Sequence, residues 1–232
     1  MSIPNDAQHP SPLAHAPAAT RALLARLHEQ SLAQESGFDL RAVPSEQFKA
    51  AVSDKFIALD EDKCQFVYQL LRASGARRIV EAGTSYGVST IYLALAASEN
   101  AAALGGQPLV VGTEHEEAKA DQARAYWAES GTDAVKAIDL RVGDLRETLK
   151  TGLGDIDFLL LDIWTPMALP ALKLVQPHLR PGAVIVADNP ITSAKGYTEL
   201  FDYVRAPGSG FSSINVPYSN GLEMIVYYPP NK

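Results

Sequence analysis

Two apolar runs end in acids. "DIDFLLLDIW" reaches Asp162, and "GAVIVADNP" reaches Asp188 and then Asn189. If both runs are parallel neighbours about 4.8 Å apart, their tips can bring three oxygen ligands to one point. Such a set suits Mg²⁺ or another hard cation, with positions left for water or a ligand. Asp and Asn also cap helices that follow strands, and either reading fits one pair. Three such groups on two consecutive tips favour the metal site.

A second acidic set lies upstream. "VEAGTSYGVST" gives E-x-G-x-x-x-G, with Glu81 two residues before Gly83, and with Ser85, Gly87 and Ser89 following. Glycine permits a tight turn and close backbone approach to a ligand, but a plain strand-to-helix turn would look the same. "PLVVGTE" ends on Glu114, where a carboxylate can accept hydrogen bonds from ribose hydroxyls; a solvated loop acid is the competing reading. "LRVGD" ends on Asp144, which could meet an adenine amino group. The phosphate-loop string G-x-x-x-x-G-K-[ST] is absent, and Glu81 stands where G-x-G-x-x-G needs its first glycine. A carboxylate there disfavours a pyrophosphate and suits an ammonium. S-Adenosylmethionine carries adenosine, an ammonium and a sulfonium, so the acidic lining matches it better than NAD.

These residues need a scaffold that puts strand ends on one edge. "RALLARLHEQSLAQ" and "DEDKCQFVYQLLRASG" have helical spacing. Beyond them, "RRIVEAG", "PLVVGTE", "IDLRVGD", "DIDFLLLDI" and "GAVIVADN" are strands alternating with helices, the last of these being "SAKGYTELFDYVRA". "MALPALKLVQPHL" is helical with Pro170 near its first turn. "FSSINVP" and "GLEMIVYY" form a terminal hairpin around "YSNG". The pattern predicts a doubly wound, mostly parallel seven-stranded α/β sheet with an antiparallel hairpin at one edge and extra N-terminal helices. We expect a loose arm over 1–20 and a single domain over 21–232, divided into helices (21–75) and a Rossmann-like core (76–232).

Bulk properties narrow the partners. The 232 residues carry a net charge of −7 and show no basic run, which argues against nucleic acid. The single cysteine, Cys64, excludes an internal disulfide. No segment reaches the roughly 18 apolar residues of a membrane helix, and no signal peptide is evident, so a cytoplasmic location is expected. The histidines His9, His15 and His28 fit no compact metal site.

From about Lys55 onward the sequence resembles the cation-dependent catechol and caffeoyl-CoA O-methyltransferases. "VEAGTSYGVST", Glu114, "VGD", "LLLDIW", "LRPGAVIVADN" and "NGLEMIVY" carry the resemblance. It implies that Glu81 binds the amino group of the cofactor, Glu114 the ribose, and Asp162, Asp188 and Asn189 the cation. It also implies that Trp164 packs on adenine, a buried core tryptophan being the alternative, and that Ser89 and Ile57 to Leu59 line the cofactor. Thr165 departs from the family, which has a general-base lysine there; the family's acid before the last strand has no counterpart near Ile214 and Asn215. The implied reaction is in-line methyl transfer to a hydroxyl of a small aromatic acceptor held by the cation at Asp162. Lys195 is a candidate base or clamp, against a surface lysine, and the segment before Lys55 could mediate a homodimer. Alternatives are a metal-independent methyltransferase, a tRNA-modifying one, an NAD-binding oxidoreductase and a non-catalytic cofactor-binding protein.

Overall fold

The computed structural model describes residues 11–35 and 55–229. Helix α1 (Ala18–Glu35) and helix α2 (Glu61–Ser74) precede the sheet. Strands β1 (Arg78–Ala82), β2 (Leu109–Glu114), β3 (Ile138–Val142), β4 (Ile156–Leu161) and β5 (Leu179–Asp188) follow. Between them run α3 (Val88–Leu104), α4 (Glu117–Glu129), the short α5 (Leu145–Thr148) and α6 (Ala168–Val175). Helix α7 (Thr198–Arg205) leads into β6 (Phe211–Val216) and β7 (Leu222–Tyr227). Pro170 lies in the first turn of α6, where its missing N–H costs no helical bond.

The strand order is β3-β2-β1-β4-β5-β7-β6. The first five strands are parallel, while β7 pairs antiparallel with β5 and with β6. The order reverses between β1 and β4, and the carboxyl ends of such strands form the crevice where ligands bind. β1 and β4 carry apolar side chains on both faces, so each side of the sheet has its own core. One core lies under α1, α2 and α3, the other under α6 and α7. In this way the helices cover the sheet and leave the strand tips as its polar edge.

The expected loose arm is corrected over 11–20. Leu13 and Ala16 are buried in the first core, and Thr20 donates to the Ser130 carbonyl at 2.6 Å. His15 contacts Glu99 at 2.9 Å. Leucine burial and a satisfied hydroxyl hold this segment against α3 and the end of α4; the rest of the expected arm, 1–10 with His9, lies outside the described residues.

His28 is 5% exposed and lies 3.0 Å from the Tyr92 hydroxyl. Burial lowers its pKa from the ordinary 6.5, against the opposing pull of Glu61 and Asp60. A depressed folded pKa means that the unfolded chain binds the proton first. The stability tied to neutral His28 is therefore complete above pH 6.5 and is lost as the pH falls below it. Thermal melts between pH 8 and pH 5 should show this decline, and His28→Gln should flatten it. An identical pH slope in the variant would refute this role.

Candidate active site

The loop after β1 is held from three sides. Gly83 has φ +98°, and a Cβ there would stand 2.0 Å from the Asp162 carbonyl oxygen, because the Asp162 amide also donates to Ala82 at 3.1 Å. Gly87, the N-cap of α3, has φ +77°, and the Trp127 indole donates to its carbonyl at 2.9 Å. From the β2 side, the Thr84 amide donates to the Thr113 carbonyl at 2.8 Å. These contacts explain why the loop is glycine-rich: two backbones and an indole approach where a side chain would stand.

Glu114 sits at the tip of β2. Its Oε2 accepts the Ser85 amide at 2.8 Å, and its Oε1 accepts the amides of His115 and Glu116 at 2.7 and 2.8 Å. Ser85 is drawn to φ +50° in the process. Oε2 accepts only one amide and keeps a lone pair, so Glu114 can accept a further hydroxyl while clamping the loop.

Glu81 lies beneath the loop, with no exposed surface. Its carboxylate accepts three hydroxyls: Ser89 at 2.6 Å on Oε1, and Thr90 at 2.6 Å and Thr84 at 2.8 Å on Oε2. Burial pushes its pKa up, while the three hydroxyls hold it down. In this arrangement Glu81 orients Ser89, Thr84 and Thr90, and its charge reaches the crevice through them. The carboxylate from which the sequence leads us to expect an ammonium contact thus has its oxygens bonded to Ser89, Thr90 and Thr84.

Asp144 lies at the tip of β3, where it caps a helix. Its side chain caps α5 by accepting the Arg146 amide at 2.9 Å, and it pairs with the Arg146 guanidinium at 2.5 Å. Arg146 pulls its pKa down to about 2. Trp164 is 42% exposed just beyond β4, which excludes the buried-core alternative. Leu59 is buried in the core, with its carbonyl accepting the Cys64 thiol at 3.4 Å. Lys195 is exposed on the turn before α7.

Comparison with known proteins completes the assignment. A family model described as a methyltransferase domain matches residues 80–189. Catechol O-methyltransferase of Mycobacterium tuberculosis (strain ATCC 25618 / H37Rv) is 32% identical over 136 residues, which are 58% of this chain and 58% of that protein. Among solved structures, the Bacillus cereus O-methyltransferase in complex with SAH shares the fold at TM-score 0.66 and 20% identity. That match covers 87% of this chain and 100% of the other. TomG from Streptomyces achromogenes, an O-methyltransferase involved in tomaymycin synthesis and solved with SAM, gives 0.64 at 22% identity, covering 88% and 98%. The fold is that of the class I methyltransferases.

Within the matched segment, Asp162, Asp188 and Asn189 do come to neighbouring tips, because Leu161 and Ala187 are in register on β4 and β5. Asn189 has φ +56°, a conformation that Asn tolerates better than most residues. What meets these tips is Lys63, in the first turn of α2. Its side chain is 1% exposed, and Nζ lies 2.7 Å from Asp188 Oδ1, 3.2 Å from Asn189 Oδ1 and 3.0 Å from Asp60 Oδ2. Asn189 Nδ2 donates to the other Asp188 oxygen at 2.5 Å. Burial opposes the Lys63 charge, but Asp188 and Asp60 outweigh it, and the net pKa moves up. Burial pushes Asp188 up to about 6, with Lys63 pulling against it. Asp162 is pushed well above the ordinary range by burial and then by Asp188 and Glu81.

Two of the three residues expected to hold a metal, Asp188 and Asn189, therefore hold an ammonium, with Asp60 in place of Asp162 as its third partner. Among the described residues, no three His, Cys, Asp or Glu side chains form a metal-binding group. All three Lys63 donors are committed, and two unit charges cost roughly 4 kcal/mol to hold about 4 Å apart, even at an effective dielectric near 20. A divalent ion does not fit these oxygens together with Lys63.

The sequence did hold a signal for Lys63. Lys63, Val67 and Leu71 share one helical face, and a lysine in the first turn opposes the helix dipole. An apolar-face lysine at that position calls for buried acidic partners.

Proposed function

We propose that this protein is an S-adenosylmethionine-dependent O-methyltransferase acting on a hydroxyl of a small aromatic molecule. The observation that carries the reading is Glu114 at the β2 tip, clamping the glycine loop at the point where the strand order reverses. The cofactor supplies a sulfonium-bound methyl group that an oxygen nucleophile displaces in line. Glu114 would receive the ribose hydroxyls, and Ser89, oriented by Glu81, would face the amino-acid end. Trp164 offers an exposed ring for the adenine. Asp162, whose side chain accepts no hydrogen bond among the described residues, would accept one from the acceptor hydroxyl and fix its angle. Such positioning supplies much of the acceleration in a two-substrate transfer.

The acceptor's place is suggested by a cavity of about 470 Å³ bounded by His28 and Ser31 of α1, Ala58, Asp60 and Ser219. Asp60 joins this cavity to the Lys63 cluster. A divalent cation is left out of this reading, since Lys63 engages two of its three expected ligands, Asp188 and Asn189. The relevant experiment is calorimetric titration with S-adenosylhomocysteine and NADH, followed by radiolabelled methyl transfer to catechols, hydroxycinnamates and polyketide phenols. Saturable binding of the first ligand, with label in a phenol, is the expected result. Binding of NADH alone would overturn the assignment, and binding of neither ligand would point to a non-catalytic protein.

A further inference from the structure

Lys63 raises a question that methyl transfer alone does not answer: why a lysine is buried among acids at a catalytic strand edge. A buried ammonium is unfavourable without partners, and here it has three, each within 3.2 Å. The partners come from two separate places, Asp60 before α2, and Asp188 with Asn189 at the end of β5. The ammonium thus joins the N-terminal helices to the sheet at the point where an acceptor would sit.

We propose that Lys63 is a built-in substitute for a divalent cation at the β4–β5 tips, so that this protein works without a metal. The inference rests on the methyltransferase reading for its chemical meaning. The geometric part, one ammonium filling a cation site, stands by itself. Lys63 is a positioning residue: its donors are spent on protein oxygens, and its fixed charge offsets one of the two carboxylates, Asp188 and Asp60, that it bonds. An acceptor oxygen approaching Asp162 then meets a cluster whose negative charge is reduced by one unit. A single fixed charge with saturated donors cannot also chelate a diol, as an ion with open positions could. The site therefore favours an acceptor with one reacting hydroxyl and does not depend on a second, adjacent one.

The test is Mn²⁺ binding followed by electron paramagnetic resonance on the full chain, read beside S-adenosylhomocysteine affinity. Wild-type protein should bind no Mn²⁺ at this cluster at about 1 mM, whereas Lys63→Ala should bind one equivalent. Asp188→Asn in the Lys63→Ala background should abolish that binding. Cofactor affinity should stay within about threefold in the single variant, because Lys63 bonds no residue of the glycine loop. If Lys63→Ala fails to fold, Lys63→Met keeps the side-chain volume and carries the same expectation. One Mn²⁺ bound by wild type and lost in Asp188→Asn would overturn the proposal, as would a folded Lys63 variant that binds no Mn²⁺. Once an acceptor is known, wild-type turnover should change less than twofold in excess EDTA. Loss of turnover there overturns the proposal, while absence of any methyl transfer counts against the methyltransferase reading only.

Discussion

Gly83→Ala is expected to destabilise the protein by about 3 kcal/mol or more and to abolish cofactor binding. Two independent costs combine. The backbone sits at φ +98°, where an L side chain is strained, at roughly 1–3 kcal/mol. The added Cβ would also stand 2.0 Å from the Asp162 carbonyl oxygen, a backbone atom that cannot rotate away. Relief requires β1 and β4 to separate at the edge where we propose that both substrates meet, or the loop to lift from Thr113. In a chain of this size, 3 kcal/mol corresponds to a fall in Tm of roughly 6–12 °C. Differential scanning calorimetry and S-adenosylhomocysteine titration check both parts. An unchanged Tm with intact affinity would show that the close approach of the two strand ends is not required.

Glu114→Ala should separate binding from folding. The substitution removes the acceptor for three backbone amides and the proposed ribose contact together. The amides lie near solvent and can turn to water, so stability should change little. Without its clamp, Ser85 is no longer held at φ +50°, and the loop loses its prepared shape. We expect affinity for S-adenosylhomocysteine to fall about 100-fold, equivalent to roughly 2.7 kcal/mol. KM for the methyl donor should rise far more than kcat falls, the pattern for binding shared by ground and transition states. Affinity within threefold of wild type would remove Glu114 from the cofactor site.

The two variants also differ in how far their causes could be read from the chain. Glu114 ends an apolar run, so period and position placed it at a strand tip before any coordinates existed. The glycines of "EAGTSYG" mark a tight loop, but the partner that makes Gly83 irreplaceable is the carbonyl of Asp162, 79 positions later. No local pattern carries that distance. Asp144, another strand-end acid, has a local partner in Arg146, two residues on, which makes it the cap of α5. The docking of the segment before α1 is set at a distance instead. Leu13 and Ala16 have no helical period, and only the docked surface of α3 and its neighbours explains their burial.

What the sequence determined by itself is the alternation of apolar strands with helices, the order in which acids end those strands, and the hairpin that closes the chain. Each follows from side-chain periodicity and turn chemistry, which act over a few residues. Tertiary structure alone decided what those acids face. Glu81 turned inward to three hydroxyls because helix α3 packs above it, and Asp188 met an ammonium because α2 lies across the β5 tip. Coulomb and hydrogen-bond partners are set by distance in space, and Lys63 and Asp188, separated by 125 positions, become neighbours only when the sheet and its covering helices assemble.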